Sequence, residues 1–435
     1  MRRFRQAAFA AVLIMGILGP ASGQAEDLLA IYRLSVTNDA ILQAAAAERR
    51  ATLESRPQAR ALLLPNLSLS ADYARNRNRV IDSSSAFFQP QTVYFWSKGF
   101  TLSLRQPVFN REFFVQQKQA DAIVKGADAQ YAAAQQDLIV RVAQAYFNVL
   151  GAMDNLDFAR AEKNANLRQL EQAKQRFEVG LIAITDVHES QAAFDAARAQ
   201  EIESRNLLSN AREALRVITG KLHEHLTILA DTIPLVTPDP QDIDAWSKKA
   251  MEQNFSIIAS EYQMQTAQEE VKRRRSGHYP TLDLTGNHRY SDVDDGFFGG
   301  SETEDSSIGL VLNLSLYQGG GVSSQVREAI QRLERSRDEL EQQRREVMRQ
   351  TRDAYLNVLS GIETVKARKQ AVVSAQSALE ATEAGLEVGT RTTVDVLNVR
   401  RNLFRAERDH AGSRYTYILD LLRLKQAAGT LTMAD

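Results

Sequence analysis

Residue types that carry out chemistry are few in this chain and poorly grouped. His223 and His225, with Glu224 between them, have donor atoms for a metal, but no third ligand stands nearby and solvated surface is the competing interpretation. The basic run from Lys272 to Arg275 is typical of a solvated helix face. The sequence contains no cysteine, no nucleophile elbow, no phosphate loop and no paired catalytic carboxylates. We therefore expect no enzyme, no cofactor and no metal site.

Two aspartates stand at the predicted starts of helices. Asp186 has Glu189 three residues further on, which is similar to the spacing of a helix-capping box. Asp395 occupies the corresponding place in a second segment, with Asn398 three residues on. Arg391 lies close by and can be a solvated turn residue. The residues alone favour capping for both aspartates.

These residues belong to a chain that repeats itself once, at a constant offset of 209 residues. The matched segments are Ala145–Leu150 with Ala354–Leu359, Phe177–Gly180 with Leu386–Gly389, Asp186–Val187 with Asp395–Val396, and Gly220 with Gly429. Such constancy of register indicates duplicated structural units. We predict a first repeat at residues 26–230, a linker at 231–245 that contains several prolines, and a second repeat at 246–435.

The first 25 residues are expected to be a secretory signal peptide. Arg2, Arg3 and Arg5 precede an apolar run from Ala7 to Leu18, which small residues follow. Cleavage is expected after Ala25, with the position two residues earlier as the alternative. The 53 Lys and Arg residues nearly balance the 54 Asp and Glu residues, and this argues against a nucleic-acid partner.

Four segments alternate strictly between apolar and polar residues, as strands with one apolar face do. Their apolar positions are Leu67, Leu69, Ala71 and Tyr73; Trp96, Phe100, Leu102 and Leu104; Leu282 and Leu284; and Ile308, Leu310, Leu312, Leu314 and Leu316. Small polar residues on the other face suit a water-filled lumen, although a strand pair that covers a soluble core is the alternative. Residues 76–93 and 291–307 are predicted to be polar, mobile surface loops.

Two very long helices are predicted, since Arg111–Val179 contains no proline and Val322–Val388 matches it. About 69 helical residues would span ~100 Å, more than a compact domain of this size needs. The shorter helical runs are Asn38–Leu64, Thr185–Thr219, Trp246–Ser276 and Val394–Ala428. Two short helices placed end to end can lie beside one long helix.

If the chain is a membrane protein, its four predicted strands require it to form an oligomer. After the first 25 residues no run of 20 apolar residues remains, so a membrane location would require a closed β-barrel. Four strands cannot close alone; two copies would give eight strands and three copies twelve. A twelve-stranded barrel leaves room for water, which favours the trimer. The expected fold is a mixed α + β membrane protein, a trimeric barrel continued by a long helical barrel.

The turn segments resemble a known family. The segments that carry the resemblance are Ala145–Leu150, Val179–Val187, Leu316–Gly320 and Val388–Leu397. They are similar to the corresponding segments of the TolC-type outer membrane efflux protein family. The resemblance implies a homotrimeric outer-membrane channel with a ~100 Å periplasmic helical barrel. It further implies a periplasmic adaptor protein and an inner-membrane RND or ABC translocase as partners, for multidrug efflux and type I protein secretion.

The resemblance also implies roles for individual residues. Residues at the positions of Asp186 and Arg391 hold the periplasmic end of the channel shut in this family, and the Asp395 position forms an acidic ring. The family's second acidic ring is missing, because Asn398 stands there, and Leu386 replaces a tyrosine of the closing network. The turns that would meet the adaptor are Val179, Gly180, Leu181, Val388, Gly389 and Thr390.

Three alternatives stay open at this point. A dedicated single-substrate channel, for example for metal efflux, is one. A structural trimeric coiled-coil surface protein would instead show strict heptads and a closed core, whereas the helices here carry alanine-rich faces. An outer-membrane hydrolase would need a nucleophile and a base, and the chain has only six histidines, none beside a serine in a recognisable setting.

Overall fold

The computed structural model describes residues 26–82, 90–230, 232–296 and 299–435. The predicted signal peptide at residues 1–25 lies outside this part of the chain. The first repeat contains α1 (Leu28–Asn38), α2 (Ala40–Leu53), α3 (Ser55–Ala61), β1 (Asn66–Arg79), β2 (Thr92–Phe109), α4 (Arg111–Glu178) and α5 (Ile184–Thr219). The second contains α6 (Ile243–Gln253), α7 (Phe255–Arg275), β3 (Thr281–Gly296), β4 (Gly299–Asn313), α8 (Gly321–Glu387) and α9 (Thr393–Ala427). The same order of elements thus occurs twice, although the repeat boundaries given above stay predictions.

The two long helices agree closely with the sequence prediction. Helix α4 has 68 residues and α8 has 67, each a contour of about 100 Å. The helical run predicted for residues 38–64 is wrong in its start and in its continuity. Helicity begins at Leu28, where the Asp27 carboxylate accepts a hydrogen bond from the Ala30 N–H, and it is interrupted at Asp39 and Glu54. Asp39 adopts an extended conformation, which ends α1.

Two compact units make up the chain, and each combines segments of both repeats. The first comprises the described residues up to Asp39, Arg141–Pro234 and Arg368–Tyr415, and it contains both Val-Gly turns. The second comprises Ala40–Val140, Leu235–Ala367 and Thr416–Asp435, and it contains the strands. Among the described residues, no helix is both long enough and apolar enough to cross a membrane.

Each unit has its own core, in which alanines and aliphatic side chains let helices approach closely. In the first unit Val142, Val149 and Leu215 are fully buried. A two-point ion pair supplements this core, since both terminal nitrogens of Arg141 donate to the buried Asp39 carboxylate at 2.9 and 3.0 Å. In the second unit the fully buried side chains include Val124, Leu138, Ile257, Val347, Tyr417 and Leu424.

The four strands form one antiparallel sheet in the order β1-β2-β3-β4. The register places Leu67 opposite Leu104 and Leu282 opposite Leu312, so the apolar residues share one face. We call this the apolar face; it contains the apolar strand positions given above that lie in residues 66–313. Serine, threonine, asparagine and glycine dominate the opposite face. Among the described residues, the outer edges of β1 and β4 have no strand partner.

The second predicted loop, residues 291–307, is mostly strand, so that part of the prediction is wrong; the first, residues 76–93, is strand only at its two ends. β1 continues to Arg79 and β2 begins at Thr92, while β3 continues to Gly296 and β4 begins at Gly299. The predicted fourth apolar segment also extends too far, because β4 ends at Asn313. Polar cross-strand pairs hold the outer ends together in place of apolar ones: Lys98 with Asp292 at 2.9 Å and the Tyr290 hydroxyl with Glu302 at 2.7 Å. A search for apolar alternation therefore stops short of the real strand ends.

Candidate functional site at the two Val-Gly turns

The long helices α4 and α8 end in the same hydrogen-bonded turn. The Gly180 N–H donates to the Phe177 carbonyl at 2.9 Å, and the Leu181 N–H donates to the Arg176 carbonyl at 2.9 Å. Gly180 has φ +74°, the left-handed conformation that closes such a helix end and that glycine adopts without strain. The turn after α8 repeats this pattern around Gly389, with φ +78°. The 209-residue offset thus corresponds to a repeated backbone geometry.

The side chains at these turns are exposed and apolar. Val179 is 69% exposed and Val388 is 75% exposed, and Leu181 is exposed as well. Thr390 is more polar; its N–H and hydroxyl both donate to the Gly385 carbonyl, at 2.8 and 3.1 Å. Such apolar side chains at helix ends are available to a partner protein.

Asp186 does not cap α5 in the way that its spacing to Glu189 predicts. Helix α5 starts at Ile184, and its N-cap residue is Ala183, which has no side chain that can cap. Asp186 is the third residue of the helix, where a negative charge is favourable beside the positive end of the helix dipole. Among the described residues, no donor hydrogen-bonds to the Asp186 carboxylate. This carboxylate is therefore free to accept a bond from outside the chain.

Asp395 is also the third residue of its helix, but here a capping box forms. Thr392 precedes α9, and its N–H and hydroxyl both donate to the Asp395 carboxylate at 2.9 Å. The Thr392 hydroxyl in turn accepts from the Asp395 N–H at 3.2 Å. The prediction that Asp395 caps the helix with Asn398 as its partner is therefore wrong. Thr392 is the capping residue, and the Asp395 carboxylate accepts hydrogen bonds from it. The Thr-x-x-Asp spacing at 392–395 is the sequence signal that would have identified this pair.

The charge of Asp395 is stabilised by these contacts. Hydrogen bonds from the Thr392 N–H and hydroxyl, supplemented by the positive charge of Arg391, hold the pKa of the Asp395 carboxyl below its ordinary value. Asp395 thus stays ionised well into the acidic range.

Arg391 lies against the end of α8. Its N–H donates to the Gly385 carbonyl at 3.2 Å, and a Cβ added at Gly385 would lie 2.7 Å from the Arg391 Cγ. The missing side chain at Gly385 therefore makes room for the arginine, which sequence reasoning did not identify. The guanidinium itself is exposed, and among the described residues it forms no ion pair. Within one chain, the structure accordingly does not join Arg391 to Asp186.

Leu386 packs between α8 and α9, beside the cluster Leu379, Val396 and Leu403. An ion pair that sequence reasoning missed lies near this cluster, since Arg400 donates to Glu383 at 2.6 Å. Asn398 is exposed on α9. These contacts fasten the two helices of the second turn to each other.

The other candidate clusters have structural partners. His223 is buried, which corrects the solvated-surface interpretation; its Nδ1 contacts the Glu26 carboxylate and its Nε2 contacts the Thr219 hydroxyl at 2.9 Å. This arrangement fixes the first described residue, because the Glu26 N–H also donates to the His225 carbonyl. In the basic run, Arg273 is mostly buried and pairs with Glu270 at 2.6 Å, so it is not simply solvated.

Comparison with known proteins agrees with these features. The family model for outer membrane efflux proteins matches residues 31–221 and 246–430. The outer membrane protein TolC of Vibrio cholerae is 42% identical over 414 residues, which cover 94% of this chain and 92% of that protein. The alkaline protease secretion protein AprF of Pseudomonas aeruginosa is 31% identical over 419 residues, 94% of this chain and 85% of that one.

Among solved structures, the CmeC outer membrane channel of Campylobacter jejuni has the same fold, with a TM-score of 0.80 and 16% sequence identity. The alignment covers 94% of this chain and 87% of that one. The two segments matched by the family model correspond to the two copies of the 209-residue repeat. The chain therefore belongs to the outer membrane efflux protein family.

Proposed function

We propose that this protein is the outer-membrane exit duct of multidrug efflux and type I protein secretion systems. Its relatives include a TolC channel and a protease secretion protein, and its structural neighbours are outer membrane channels rather than enzymes. The family places the chain in the outer membrane. Within this proposal, three copies close a twelve-stranded barrel, and their helices continue it into the periplasm.

The sheet is the observation that carries the proposal. Its apolar face is exposed in the single chain, with Leu69 at 68% and Ile308 at 77%. Within the described residues, its edge strands β1 and β4 have unpaired backbone groups, which are not viable in lipid unless neighbouring chains pair with them. Closure with two further copies satisfies both requirements, since it buries the edges, turns the apolar face to lipid and leaves the polar face around water.

The two turns would form the periplasmic end of the duct. Val179, Leu181 and Val388 offer exposed apolar contacts to a periplasmic adaptor protein, which would connect the duct to an RND or ABC translocase. The glycines at 180 and 389 fix the shape of these contacts, and Thr390 adds a polar group at the second turn.

The charged residues beside the turns would close the duct. Among the described residues, neither Asp186 nor Arg391 forms an ion pair, so we assign them to contacts between neighbouring helical pairs or copies. Exposed pairs of this kind contribute about 1 kcal/mol or less each, which docking of a partner can overcome. Asp395 would supply one acidic ring, and Asn398 would leave the second ring of the family absent. Leu386 would contribute apolar packing at the position where the family has a tyrosine.

A dedicated single-substrate channel, such as one for metal efflux, would have the same architecture. A structural coiled-coil protein is less well supported, because one relative is named as a protease secretion protein and a structural neighbour is named as an outer membrane channel.

Deletion of the gene tests this function when drug susceptibility and secretion of a type I substrate are measured together. We expect greater susceptibility, a loss of secretion, or both, with recovery on re-expression. Purified protein should also conduct ions across planar bilayers as a trimer. Unchanged phenotypes together with an absence of conductance would rule the duct out.

A further inference from the structure

Three arginines continue the apolar face of β1 beyond its aromatic end. Arg75, Arg77 and Arg79 alternate with Asn76 and Asn78, so all three lie on the face that carries Leu67 to Tyr73. All three are exposed. The register places Arg75 opposite Trp96, Arg77 opposite Tyr94 and Arg79 opposite Thr92 on β2. Residues 76–79, which lie in the first predicted loop, are thus part of β1.

The arginines and the aromatic rings form an alternating stack. Tyr73 and Trp96 are stacked with their ring centroids 4.9 Å apart. The Arg75 guanidinium lies 5.6 Å from the Trp96 centroid and 5.9 Å from that of Tyr94, and the Arg77 guanidinium lies 5.8 Å from the Tyr94 centroid. A guanidinium that stacks on a ring keeps its N–H donors free and loses rotational freedom. The stack therefore holds two guanidinium groups ready for an acceptor.

The positive charge of this stack is not neutralised within the part of the chain that the structure describes. Among the described residues, none of the three arginines forms an ion pair. Lys98, a further cation on this face, pairs with Asp292. The remaining acidic groups on the face are Asp294 on β3 and Glu302 and Glu304 on β4. They lie two or three strands away from β1, about 10–15 Å at ordinary strand spacing.

The position of the stack indicates its surroundings. Leu67 to Tyr73 covers about 20 Å along the strand, comparable to the apolar band of a membrane barrel with its aromatic border. The arginines lie just beyond this border. They are also at the end of the β1-β2 pair remote from α3 and α4, which flank the other end in sequence. If the helices are periplasmic, this end faces the outer leaflet.

We propose that Arg75, Arg77 and Arg79 bind the phosphate groups of the phosphorylated glycolipid of the outer leaflet, lipid A. This proposal rests on the barrel orientation of the proposed function. Guanidinium forks bind phosphate oxygens in pairs, and the apolar face directly below provides a surface for the acyl chains. A soluble phosphate would gain nothing from that continuity. A second copy of the chain, through its Glu302 and Glu304, is the competing partner.

Binding of lipid A to the purified trimer tests the proposal. The probe is bisphosphorylated lipid A in mixed micelles, with inorganic phosphate as competitor. We expect Arg75→Gln with Arg77→Gln and Arg79→Gln to weaken binding about tenfold or more, and the triple lysine variant to weaken it less. Arg289→Gln is the control, because Arg289 lies on the opposite face of the same sheet. Dephosphorylated lipid A should bind the wild type as weakly as lipid A binds the triple glutamine variant.

Three outcomes would overturn the assignment. Equal binding by wild type and the triple glutamine variant would remove the arginines from the lipid site. Displacement by millimolar inorganic phosphate would indicate a site for the free anion. Dissociation of the triple variant into single chains without lipid A would assign the arginines to the neighbouring copy. Channel conductance tests the duct function independently of lipid binding. The triple glutamine variant should conduct like the wild type, because the arginines have no part in conduction.

Discussion

The two Val-Gly turns have the same backbone conformation but differ in the polar contacts beside them. Ala183 precedes α5 and Thr392 precedes α9, at equivalent positions of the repeat. Because alanine cannot cap, Asp186 keeps a free carboxylate, whereas Asp395 is held by the threonine. The turn is thus the same in both copies, whereas of the two carboxylates only that of Asp395 accepts hydrogen bonds from the described residues. We therefore propose that Asp186 forms contacts with other chains and that Asp395 mainly supports its own helix.

The helices that leave the two turns also differ in how they are joined. In the second copy Val396 is 1% exposed and Arg400 pairs across to Glu383. In the first copy Phe177, the counterpart of Leu386, is 41% exposed. Gln191, the counterpart of Arg400, bonds within its own helix to Asp195. Helices α8 and α9 are therefore held together close to the turn that joins them. These contacts favour movement of the two helices as one body.

The largest effect should come from removal of the two unpaired charges. We expect Asp186→Ala with Arg391→Ala to raise single-channel conductance in planar bilayers several-fold, because both groups would lose contacts that close the duct. Glu189→Ala with Arg405→Ala removes the same charges from exposed positions further along α5 and α9 and serves as the control. Conductance that stays at the wild-type level would refute the gating roles.

The glycines that end α5 and α9 give the second test of the comparison. Gly220 and Gly429 both have φ +74°, but a Cβ at Gly429 would lie 2.3 Å from the Gln253 carbonyl oxygen, whereas one at Gly220 meets nothing closer than 3.8 Å. We expect Gly429→Ala to cost about 3 kcal/mol, from backbone strain and overlap together. Gly220→Ala should cost about 1 kcal/mol from strain alone.

Guanidinium unfolding followed by circular dichroism measures this difference. Each variant is compared with the wild type at the same protein and detergent concentration, so that the trimer contributes equally. Equal losses at the two glycines would show that the backbone oxygen of Gln253 can move away, and that the two helix ends are equivalent after all.

Much of this architecture was predictable, because long helices, strict alternation and an unshifted repeat are strong local signals. The bounds of α4, α5, α8 and α9 agree with prediction to within a residue or two. The outer strand ends were not predictable from alternation, since polar pairs such as Lys98 with Asp292 hold them together across strands. The burial of His223 could not be predicted either, because its partner Glu26 lies 197 residues away in sequence.

The candidate site was predictable in position but not in its contacts. The turns, Asp186 and Asp395 stand where the repeat places them. The capping partner of Asp395 was missed, because α9 starts at Thr393 and its cap is Thr392, whereas the sequence interpretation took Asp395 itself as the cap. The space that Gly385 leaves for Arg391 depends on the geometry of the turn, which no spacing in the sequence reveals.

Exchange of the capping residues sharpens the comparison further. Thr392→Ala should destabilise the start of α9 by about 1 kcal/mol, and Ala183→Thr should stabilise α5 by up to the same amount. The second change is permitted by the extended backbone at Ala183, with φ −79° and ψ 157°. Thr185→Ala, which removes a first-turn hydroxyl that is not the cap, is the matched control. Unfolding midpoints that do not move in opposite directions would contradict the capping assignment.

The smallest effect concerns pH and follows from the lowered pKa of Asp395. The pKa of the Asp395 carboxyl is lower in the folded chain than in the unfolded chain, where it is near 4. The ionised carboxylate therefore stabilises the fold at pH values above the unfolded pKa, and this contribution disappears as the pH falls through the folded pKa. Wild type should therefore be more stable than Asp395→Asn at pH 7, and the two should converge in strong acid. The measurement is the unfolding midpoint of both proteins from pH 7 down to pH 3.

Asp186→Asn completes the comparison, because no capping hydroxyl stands beside that carboxylate. Its substitution should change helix stability less than Asp395→Asn does at pH 7, while it changes conductance more. If instead Asp395→Asn opened the channel and Asp186→Asn only weakened its helix, the roles of the two turns would be reversed. The free carboxylate would then not be the one that closes the duct, and the difference between Ala183 and Thr392 would have no bearing on gating.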